Sequence, residues 1–286
     1  MTKMLCGYRV LDITQFVAGP TCSRLMAELG ADVIKVELTP IGDHARRSGL
    51  RSRKKEYANC TQSTYFAQHN HSKRSLAINL KSNKGQALIK KLIERSDVLV
   101  ENFAPGVIGR MGLSYEEVKK INPEIIMCSI SFAGQEGPLA NEPGFDYMAA
   151  AYAGITEMIG ENDRSPSQVS MAVGDSATGI SAAMAVVVAL LHRERTGEGQ
   201  FIDCSLLDTY LQMHEDYIPR VGLRGDAASP ERSGSQHPNG GPTGIFECGD
   251  GSFLQMMIMP YQWPRLLQAI GMPELEKDTR FNSPQN

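Results

Sequence analysis

The chain has 286 residues, of which 42% are hydrophobic and 21% are charged, and its formal net charge is -3. This length and composition are typical of a globular protein with one large domain or two smaller ones. The near-neutral charge argues against nucleic acid as the main partner, and no uninterrupted apolar run is long enough to predict a membrane span.

The first forty residues alternate between strand and helix patterns. The sequence predicts a buried strand over residues 8–13, a helix over about 21–29 and a second short strand over 32–36. Gly30 stands where a glycine commonly ends a helix. A strand–helix–strand order of this kind predicts parallel strands, with the connecting helix packed on one face of the sheet.

The same alternation continues to about residue 218. Helices are predicted over 84–95, 115–120, 145–153, 176–192 and 206–218, and strands over 98–100, 125–130 and 201–204. The sequence therefore predicts the α/β class, with an open parallel sheet in a large domain.

Composition changes near Gly222. Residues 223–244 are rich in glycine, serine, proline and asparagine, which predicts a linker or a mobile loop. Two segments around Gly249-Asp-Gly251 then predict an antiparallel strand pair, with a helix over 262–270 after it. We therefore expect a large domain over residues 1–222, a linker over 223–244 and the start of a smaller α+β domain over 245–286.

Motifs for nucleotides and metals are absent. The first strand is followed by Val17-Ala-Gly-Pro20 instead of G-x-G-x-x-G, which argues against an NAD-dependent oxidoreductase. His69 and His71 have no acidic or thiol residue nearby in sequence, so a solvated loop is favoured over a metal site. The six cysteines are scattered and the N-terminus lacks a signal-peptide core, so we expect reduced thiols in a cytoplasmic protein.

Asp175 is the strongest candidate for chemistry. It lies in Val173-Gly-Asp-Ser-Ala-Thr-Gly179, at the start of a long apolar helix. Aspartate is a preferred N-cap residue, so one interpretation is a helix cap, which the local sequence favours. The other is a nucleophile that the positive end of the helix keeps ionised, with Gly174 and Gly179 letting a bulky substrate approach the backbone.

Basic residues gather in two places. One group contains Arg46, Arg47, Arg51, Arg53, Lys54 and Lys55, and the other contains Lys73 and Arg74. One interpretation is a solvated charged face. The alternative is a phosphate site, because the arginine guanidinium binds oxygen atoms in a bidentate manner.

Taken in their order along the chain, several segments are similar to those of the family III coenzyme A transferases, also called the CaiB/BaiF family. The similarity extends over almost the whole chain. The segments are Leu11-Asp-Ile-Thr, Ala18-Gly-Pro20, Leu29-Gly-Ala-Asp-Val-Ile-Lys-Val-Glu37, Gly42-Asp-His-Ala-Arg46, Lys73-Arg-Ser-Leu-Ala-Ile-Asn-Leu80, Val100-Glu-Asn-Phe-Ala-Pro-Gly-Val107, Arg110-Met-Gly-Leu113, Gly134-Gln135 with Gly137-Pro138, Gly174-Asp-Ser-Ala-Thr-Gly179 and Thr196-Gly-Glu-Gly-Gln200.

The resemblance implies a Rossmann-like large domain and an enzyme that moves coenzyme A from an acyl-CoA donor to a small carboxylic acid. Asp175 matches the family's catalytic aspartate, which forms a mixed anhydride with the acyl group and then a thioester with CoA. CoA is therefore expected as a substrate, with no permanently bound cofactor. Arg46, Lys73, Arg74 and Arg110 match family positions that contact the phosphates and the adenine end of CoA.

The resemblance also implies residues around the acyl group. Gly240 and Gly241 correspond loosely to a glycine-rich loop that covers the intermediate in family members acting on formyl-CoA, where it excludes water. Val17, Phe145 and Tyr147 are candidates for the substrate pocket. Val17 replaces a glutamine that precedes the Ala-Gly-Pro turn in those members, which argues against formyl-CoA and oxalate as substrates.

Two alternatives stay open beside the transferase. Racemases of the same family use a histidine beside an aspartate, but the matching pair here is Phe145-Asp146, and phenylalanine cannot transfer a proton. A non-catalytic CoA-binding homologue is the other alternative, because family members are longer and we expect this chain to be truncated at its C-terminus. Full-length members form interlocked dimers, so a homodimer is also expected.

Overall fold

The computed structural model describes residues 3–49, 63–215, 217–225, 231–238 and 240–281. The chain divides into two compact units. One consists of Met1–Ala153 with Ser170–Met213, and the other of Gly154–Val169 with His214–Asn286. The division thus falls after Met213, earlier than the predicted boundary at residue 222. Four of the predicted basic residues, Arg51, Arg53, Lys54 and Lys55, lie outside the described residues.

A parallel sheet forms the centre of the first unit and confirms the predicted fold class. Its strands lie in the spatial order β3-β2-β1-β4-β5-β6, so the direction of winding reverses between β1 and β4. In doubly wound sheets, ligands bind outside the carboxyl ends of the strands at this reversal. The strands are β1 (Arg9–Asp12), β2 (Asp32–Leu38), β3 (Arg74–Ile78), β4 (Val98–Glu101), β5 (Ile126–Ser131) and β6 (Phe201–Ser205).

Burial explains why the sequence predicts β4 and β5. Every residue of β4 and β5 is buried. Such strands consist mainly of consecutive apolar residues, because helices cover both faces of the sheet. Only Ile78 is buried in the edge strand β3, which was missed, and only Ser205 is buried in the other edge strand, β6, which was predicted. Parallel register places Leu11 beside Ile34 on one side and Leu99 on the other.

Helices cover both faces of the sheet. On one face, α1 and α7 pack against each other and against strands, and on the other α3, α4 and α5 contribute to an apolar core with Leu11, Leu99 and Met127. The helices of this unit are α1 (Ala18–Glu28), α2 (Thr64–Asn70), α3 (Asn83–Ile93), α4 (Val107–Arg110), α5 (Tyr115–Ile121), α6 (Asp146–Tyr152), α7 (Val173–Thr196) and α8 (Leu206–Gln212).

Local chemistry sets several helix ends. The Ser82 and Ser114 hydroxyls accept hydrogen bonds from Gly85 N and Glu117 N and so cap α3 and α5. Gly197, at a φ of 76°, ends α7 in a left-handed conformation. The prediction of one continuous helix over 206–218 is wrong. The structure has two helices there, α8 and a separate α9 (Tyr217–Arg224).

The second unit contains a small antiparallel sheet, as the sequence predicts. Its strands are β7 (Thr243–Glu247) and β8 (Phe253–Met257), which are joined through Gly249-Asp-Gly251. Ile245 pairs with Gln255 in the antiparallel register. Helix α10 (Trp263–Ala269) follows the pair.

Among the described residues, α7 alone is long and apolar enough to cross a membrane by length and composition, with a mean hydropathy of 1.6 over 18 residues. The helix packs against α1, β5 and β6, as the core helix of a globular domain does. The prediction that the chain spans no membrane stays a prediction.

Candidate functional site

Asp175 lies in the first turn of α7, and the structure contradicts its interpretation as the helix cap. The N-cap position is Ala172, which provides no side-chain hydrogen bond. The first N–H groups of the helix bond to other elements instead. Gly174 N donates to the Tyr210 hydroxyl at 3.0 Å, and Asp175 N donates to Asp146 Oδ1 at 2.9 Å. Within the described residues, the Asp175 carboxylate itself makes no hydrogen bond, so it is available for chemistry.

Asp146 and Tyr210 form a buried pair beside the nucleophile candidate. The Tyr210 hydroxyl donates to Asp146 Oδ1 at 3.0 Å, and the two residues are only 4% and 5% exposed. Asp146 begins α6 and Tyr210 belongs to α8. Three helices therefore meet at the start of α7. Neither residue was predicted to be functional, although Asp146 belongs to the Phe145-Asp146 pair considered for a racemase.

The two glycines that flank Asp175 serve helix packing. A Cβ atom at Gly174 would lie 2.1 Å from the Tyr210 ring and 2.5 Å from Asp146 Oδ1. One at Gly179 would lie 2.6 Å from the Ala18 carbonyl oxygen and from Thr21 Cβ. The prediction that these glycines leave room for a substrate is therefore wrong, because atoms of the protein already fill both spaces.

The Asp175 carboxyl group titrates near neutral pH. Burial, together with the neighbouring Asp146 carboxylate, raises the pKa of Asp175 to about 7. The helix end was expected to keep this group ionised at low pH, but its nearest N–H groups are bound to Asp146 and Tyr210. Desolvation and the like charge of Asp146 therefore outweigh the helix dipole.

Tyrosines complete the surroundings of Asp175. Burial raises the pKa of Tyr65 in α2, and the charges of Asp175 and Tyr147 add to that rise, so all three lie within electrostatic range. Of the predicted pocket residues, Phe145 is 69% exposed beside Asp146, whereas Val17 is buried. The place of Val17 in the substrate pocket stays a prediction. Gly240 and Gly241 belong to the second unit.

The geometry contradicts a phosphate-binding role for Lys73. Its ammonium group donates to Asp12 Oδ2, to the Pro20 carbonyl oxygen and to Asn70 Oδ1, each at 2.9 Å, and its side chain is 1% exposed. An ammonium group has three protons to donate, so none is left for a phosphate. Burial lowers the pKa of Lys73 to about 8, an effect that Asp12 opposes.

Lys73 is part of a buried charge network. Lys35 bonds to Asp43 Oδ2 at 2.9 Å and to the Thr14 carbonyl oxygen at 2.9 Å. Ser23 Oγ donates to Asp12 Oδ2 at 2.6 Å. Burial opposes the ionisation of Asp12, but Lys35 and Lys73 hold its pKa well below the usual range. The network therefore ties the end of β1 and the middle of β2 to α1 and to the residue just before β3.

The predicted arginines are closer to the surface. Arg46 forms a bidentate pair with Glu37, both bonds being 2.6 Å, and its guanidinium lies over the Phe66 ring at 3.6 Å. The Arg74 guanidinium donates two hydrogen bonds to the Asp32 carboxylate, at 2.8 and 2.6 Å, and the side chain is 64% exposed. Arg110 is exposed at the end of α4.

A cleft opens at the carboxyl ends of β1, β2 and β4, where the sheet order reverses. The cleft is small, with an enclosed volume of about 10 Å³, which is room for about one water molecule. Glu37, the partner of Arg46, contributes to its wall. The lining residues are Ile13, Thr14, Gln15, Val36, Glu37, Leu38, Gly42, Asp43, Leu80 and Phe103. In the described part of the chain, no three His, Cys, Asp or Glu side chains are arranged to hold a metal ion.

Comparisons with known proteins show the family of the chain. The model of CoA-transferase family III matches residues 5–286. The succinyl-CoA–D-citramalate CoA-transferase of Chloroflexus aurantiacus is 38% identical and is matched over 99% of this chain and 69% of its own. The succinyl-CoA:glutarate CoA-transferase of Mus musculus is 36% identical over 98% of this chain and 63% of its own.

A solved structure gives the same result. The CAIB/BAIF family protein from Brucella suis is 33% identical, with a TM-score of 0.84 over 100% of this chain and 74% of that one. The chain therefore spans about two thirds to three quarters of the length of these three proteins, which are 69%, 63% and 74% covered.

Replacing Lys73 tests its structural role. We expect Lys73→Met to lower the free energy of unfolding by about 3–5 kcal/mol, because it leaves the charge of Asp12 buried with one cation fewer. Arg74→Ala is the matched control and should change stability by less than about 0.5 kcal/mol. Urea denaturation monitored by circular dichroism measures both values. An unchanged stability of Lys73→Met would contradict the buried network.

Proposed function

Because the chain belongs to CoA-transferase family III, we propose that it transfers coenzyme A from an acyl-CoA to a carboxylic acid with Asp175 as the nucleophile. One observation carries the proposal. The backbone N–H of Asp175 donates to Asp146 and so fixes the residue at the start of α7. Its half-buried carboxylate makes no hydrogen bond within the described residues. A structural carboxylate would be expected to cap the helix or to join an ion pair.

The proposed reaction proceeds in balanced steps. A carboxylate oxygen of Asp175 attacks the thioester carbon, a C–O bond forms, and the C–S bond breaks as its electron pair leaves with the CoA thiolate. The thiolate then attacks the Asp175 carbonyl of the anhydride and releases the first carboxylic acid as its carboxylate. The acceptor carboxylate attacks the resulting Asp175 thioester and expels the CoA thiolate, which finally attacks the acyl carbon of that second anhydride and releases the Asp175 carboxylate. Covalent catalysis thus divides one exchange into easier steps.

The environment of Asp175 suits this chemistry. A carboxylate with a pKa of about 7 is more basic than a solvated aspartate and is therefore a stronger nucleophile once it is ionised. The activity should accordingly rise as the pH increases through about 7. Partial burial also limits the access of water to the anhydride, which would otherwise hydrolyse.

The cleft at the sheet reversal is the proposed site for the nucleotide end of CoA. It lies where doubly wound folds bind nucleotides, and because its enclosed space holds only about one water molecule, the nucleotide is proposed to lie on the surface at its mouth. The Arg46 guanidinium lies beside the cleft, because it is hydrogen-bonded to Glu37, which lines the cleft wall. Arg110 has an exposed guanidinium on α4, soon after Phe103 in the chain. We assign phosphate binding to these two arginines, without Lys73 and without Arg74, whose guanidinium is bound to Asp32 at the amino end of β2.

The relatives indicate a substrate class. Both curated relatives described above are named for succinyl-CoA as donor, with citramalate or glutarate as the other acid. These acids all carry two carboxyl groups. We therefore propose succinyl-CoA as donor and a dicarboxylic acid as acceptor. No observation favours the racemase, because Phe145 beside Asp146 has no proton to transfer.

The exposed apolar surface of α7 indicates how the chain would assemble with a second copy. Four apolar side chains on one face of the helix are more than half exposed: Ile180 (58%), Met184 (66%), Val188 (60%) and Leu191 (52%). Their spacing of three and four residues forms a continuous stripe. We propose that a second copy covers this stripe in a homodimer. Five free cysteines among the described residues support a reducing compartment such as the cytoplasm.

The covalent step can be tested directly. We expect incubation with succinyl-CoA and hydroxylamine to convert Asp175 to a hydroxamate, because hydroxylamine cleaves activated carboxyl groups. Peptide mass spectrometry identifies the modified residue, and Asp163→Ala serves as an exposed aspartate control with unchanged turnover. Asp175→Ala should remove both the adduct and turnover. An active wild-type enzyme that never carries an adduct at residue 175 would contradict the covalent scheme.

The nucleotide site has a separate test. We expect Arg110→Ala to raise KM for succinyl-CoA about tenfold with kcat nearly unchanged, because a charge-assisted hydrogen bond to phosphate is lost. Succinyl-pantetheine, which lacks the nucleotide, should show no such rise. Arg95→Ala is the matched control for an exposed arginine. An equal rise in KM for both thioesters would exclude phosphate binding by Arg110.

Introducing a charged side chain into the apolar stripe of α7 tests the proposed dimer interface. We expect Met184→Glu to convert a dimer into monomers, because association would bury an unpaired carboxylate. Met4, which is 86% exposed, supplies the control substitution Met4→Glu, and sedimentation velocity measures the mass of both variants. A wild-type chain that sediments as a monomer, or a Met184→Glu variant that still dimerises, would refute this interface.

A further inference from the structure

The transfer reaction leaves the buried carboxylate of Asp146 without a role. Its Oδ1 atom accepts hydrogen bonds from Asp175 N at 2.9 Å and from the Tyr210 hydroxyl at 3.0 Å. Its Oδ2 atom is buried and has no hydrogen-bond partner within the described chain. A carboxylate in such a place has lost its water and has gained only two hydrogen bonds in return.

An asparagine at position 146 would avoid most of this cost. Its carbonyl oxygen can accept the same two hydrogen bonds, and it carries no charge to bury. The two hydrogen bonds therefore explain why residue 146 is polar but do not explain why it is ionisable. The charge itself needs a role, and the nearby group that it acts on is the carboxyl group of Asp175, whose protonation it favours.

We propose that Asp146 is a positioning residue for Asp175, an inference that rests on the proposed transfer reaction. Its Oδ1 atom fixes the backbone of Asp175, and its negative charge repels the charge of the Asp175 carboxylate. Formation of the anhydride removes that second charge, since the electron pair of the broken C–S bond leaves on the CoA thiolate. The repulsion therefore exists in the reactant and is relieved as the C–O bond forms.

Tyr210 holds Asp146 in this position. Burial is the main cause that raises the pKa of Tyr210 to about 12, so the phenol keeps its proton at every pH at which the enzyme would work. The single O–H donates to Asp146, and the hydroxyl oxygen accepts from Gly174 N. Because a Cβ atom at Gly174 would meet both side chains, the backbone of α7 is held in direct contact with the pair.

Other ionisable groups line the helices that pack on α7, but none of those described forms an ion pair with Asp175. On α2, burial lowers the pKa of His69, and nearby Arg24 and Lys73 lower it further, so this histidine is neutral near pH 7. Further groups are Arg24 paired with Glu28 on α1, Tyr147 on α6 and Asp208, bonded to Ser205, on α8, together with Tyr65 on α2, which lies within electrostatic range of Asp175.

The sign of the expected effect follows from the charges. Asp146 disfavours the ionised form of Asp175, so removing its charge lowers the pKa of Asp175. In the variant, Asp175 is ionised at lower pH but is a weaker nucleophile. The acid limb of the pH profile should therefore move to lower pH, while the rate on the alkaline plateau should fall.

The first experiment compares kcat profiles for succinyl-CoA and glutarate between pH 5 and 9. We expect Asp146→Asn to move the acid limb down by about one pH unit and to lower the plateau kcat about tenfold, with KM changed less than about threefold. Tyr210→Phe keeps the charge of Asp146, so its acid limb should stay in place while kcat falls a few-fold. Asp163→Asn, at an exposed aspartate, is the control and should match the wild type.

The second experiment needs no turnover and so separates this inference from the transferase assignment. Thermal unfolding is measured at pH 4.5 and pH 8 for the wild type, Asp146→Asn, Asp175→Asn and the double variant. When the pKa of an acidic group is higher in the folded protein than in the unfolded chain, the group destabilises the fold. This destabilisation grows as the pH rises from the unfolded-state pKa to the folded-state pKa. Asp175→Asn should therefore raise Tm more at pH 8 than at pH 4.5, and less so when Asp146 is already asparagine.

Two results would overturn the positioning role. One is an Asp146→Asn enzyme that loses kcat by the same factor at every pH without a shift of the acid limb. The other is an Asp175→Asn gain in Tm at pH 8 that is equal with and without the charge at position 146. If the wild type shows no transferase activity but the Tm gains differ as expected, the charge coupling stands and the proposed function fails instead.

Discussion

Two hydrogen bonds from the first N–H groups of α7 determine the arrangement of the candidate site. They connect Gly174 and Asp175 to side chains that come from α8 and α6, respectively. A helix normally leaves its first N–H groups to a capping side chain, to water or to a bound anion. Here two buried side chains occupy them, so the helix end is attached to its neighbours and the Asp175 side chain is left free.

A second network makes the frame around the site rigid. Lys35 and Lys73 lie almost completely inside the protein and are neutralised by Asp43 and Asp12. Buried charges of this kind contribute little net stability when they are complete, but removal of one partner is expensive. Their effect here is geometric, because they hold the loop after β1, the start of α1 and the start of β3 together at the edge of the cleft.

The sequence predicts the fold well where burial produces a simple pattern. The strands β1, β2, β4, β5 and β6 are short apolar runs, and α7 is a long one, so each was predicted from local residues. Strand β3 was not, because it begins with Arg74-Ser75 in a charged segment, whereas the similarly exposed edge strand β6 begins with Phe201-Ile202. The break after α8 was also missed, because nothing in residues 206–218 marks a helix end as Gly197 does for α7.

The site was predicted only in part, for a physical reason. The segment around Asp175 identifies the residue, but its pKa depends on burial and on Asp146, which comes from a different helix. Likewise, the sequence places Lys73 beside Arg74 and suggests one shared role, whereas strand geometry buries the first and exposes the second. Neighbours in space, which no single sequence displays, determine both properties.

The contact between α1 and α7 at Gly179 has a consequence for substrate size. Helix α1 begins just after the loop that lines the cleft, and it packs backbone to backbone on the helix that carries Asp175. The separation between the proposed nucleotide cleft and the attacking oxygen is therefore set by rigid elements within one unit. Under the proposed mechanism, the pantetheine arm of a bound thioester has to match this span, so the length of the carrier would select donors as well as the acyl group.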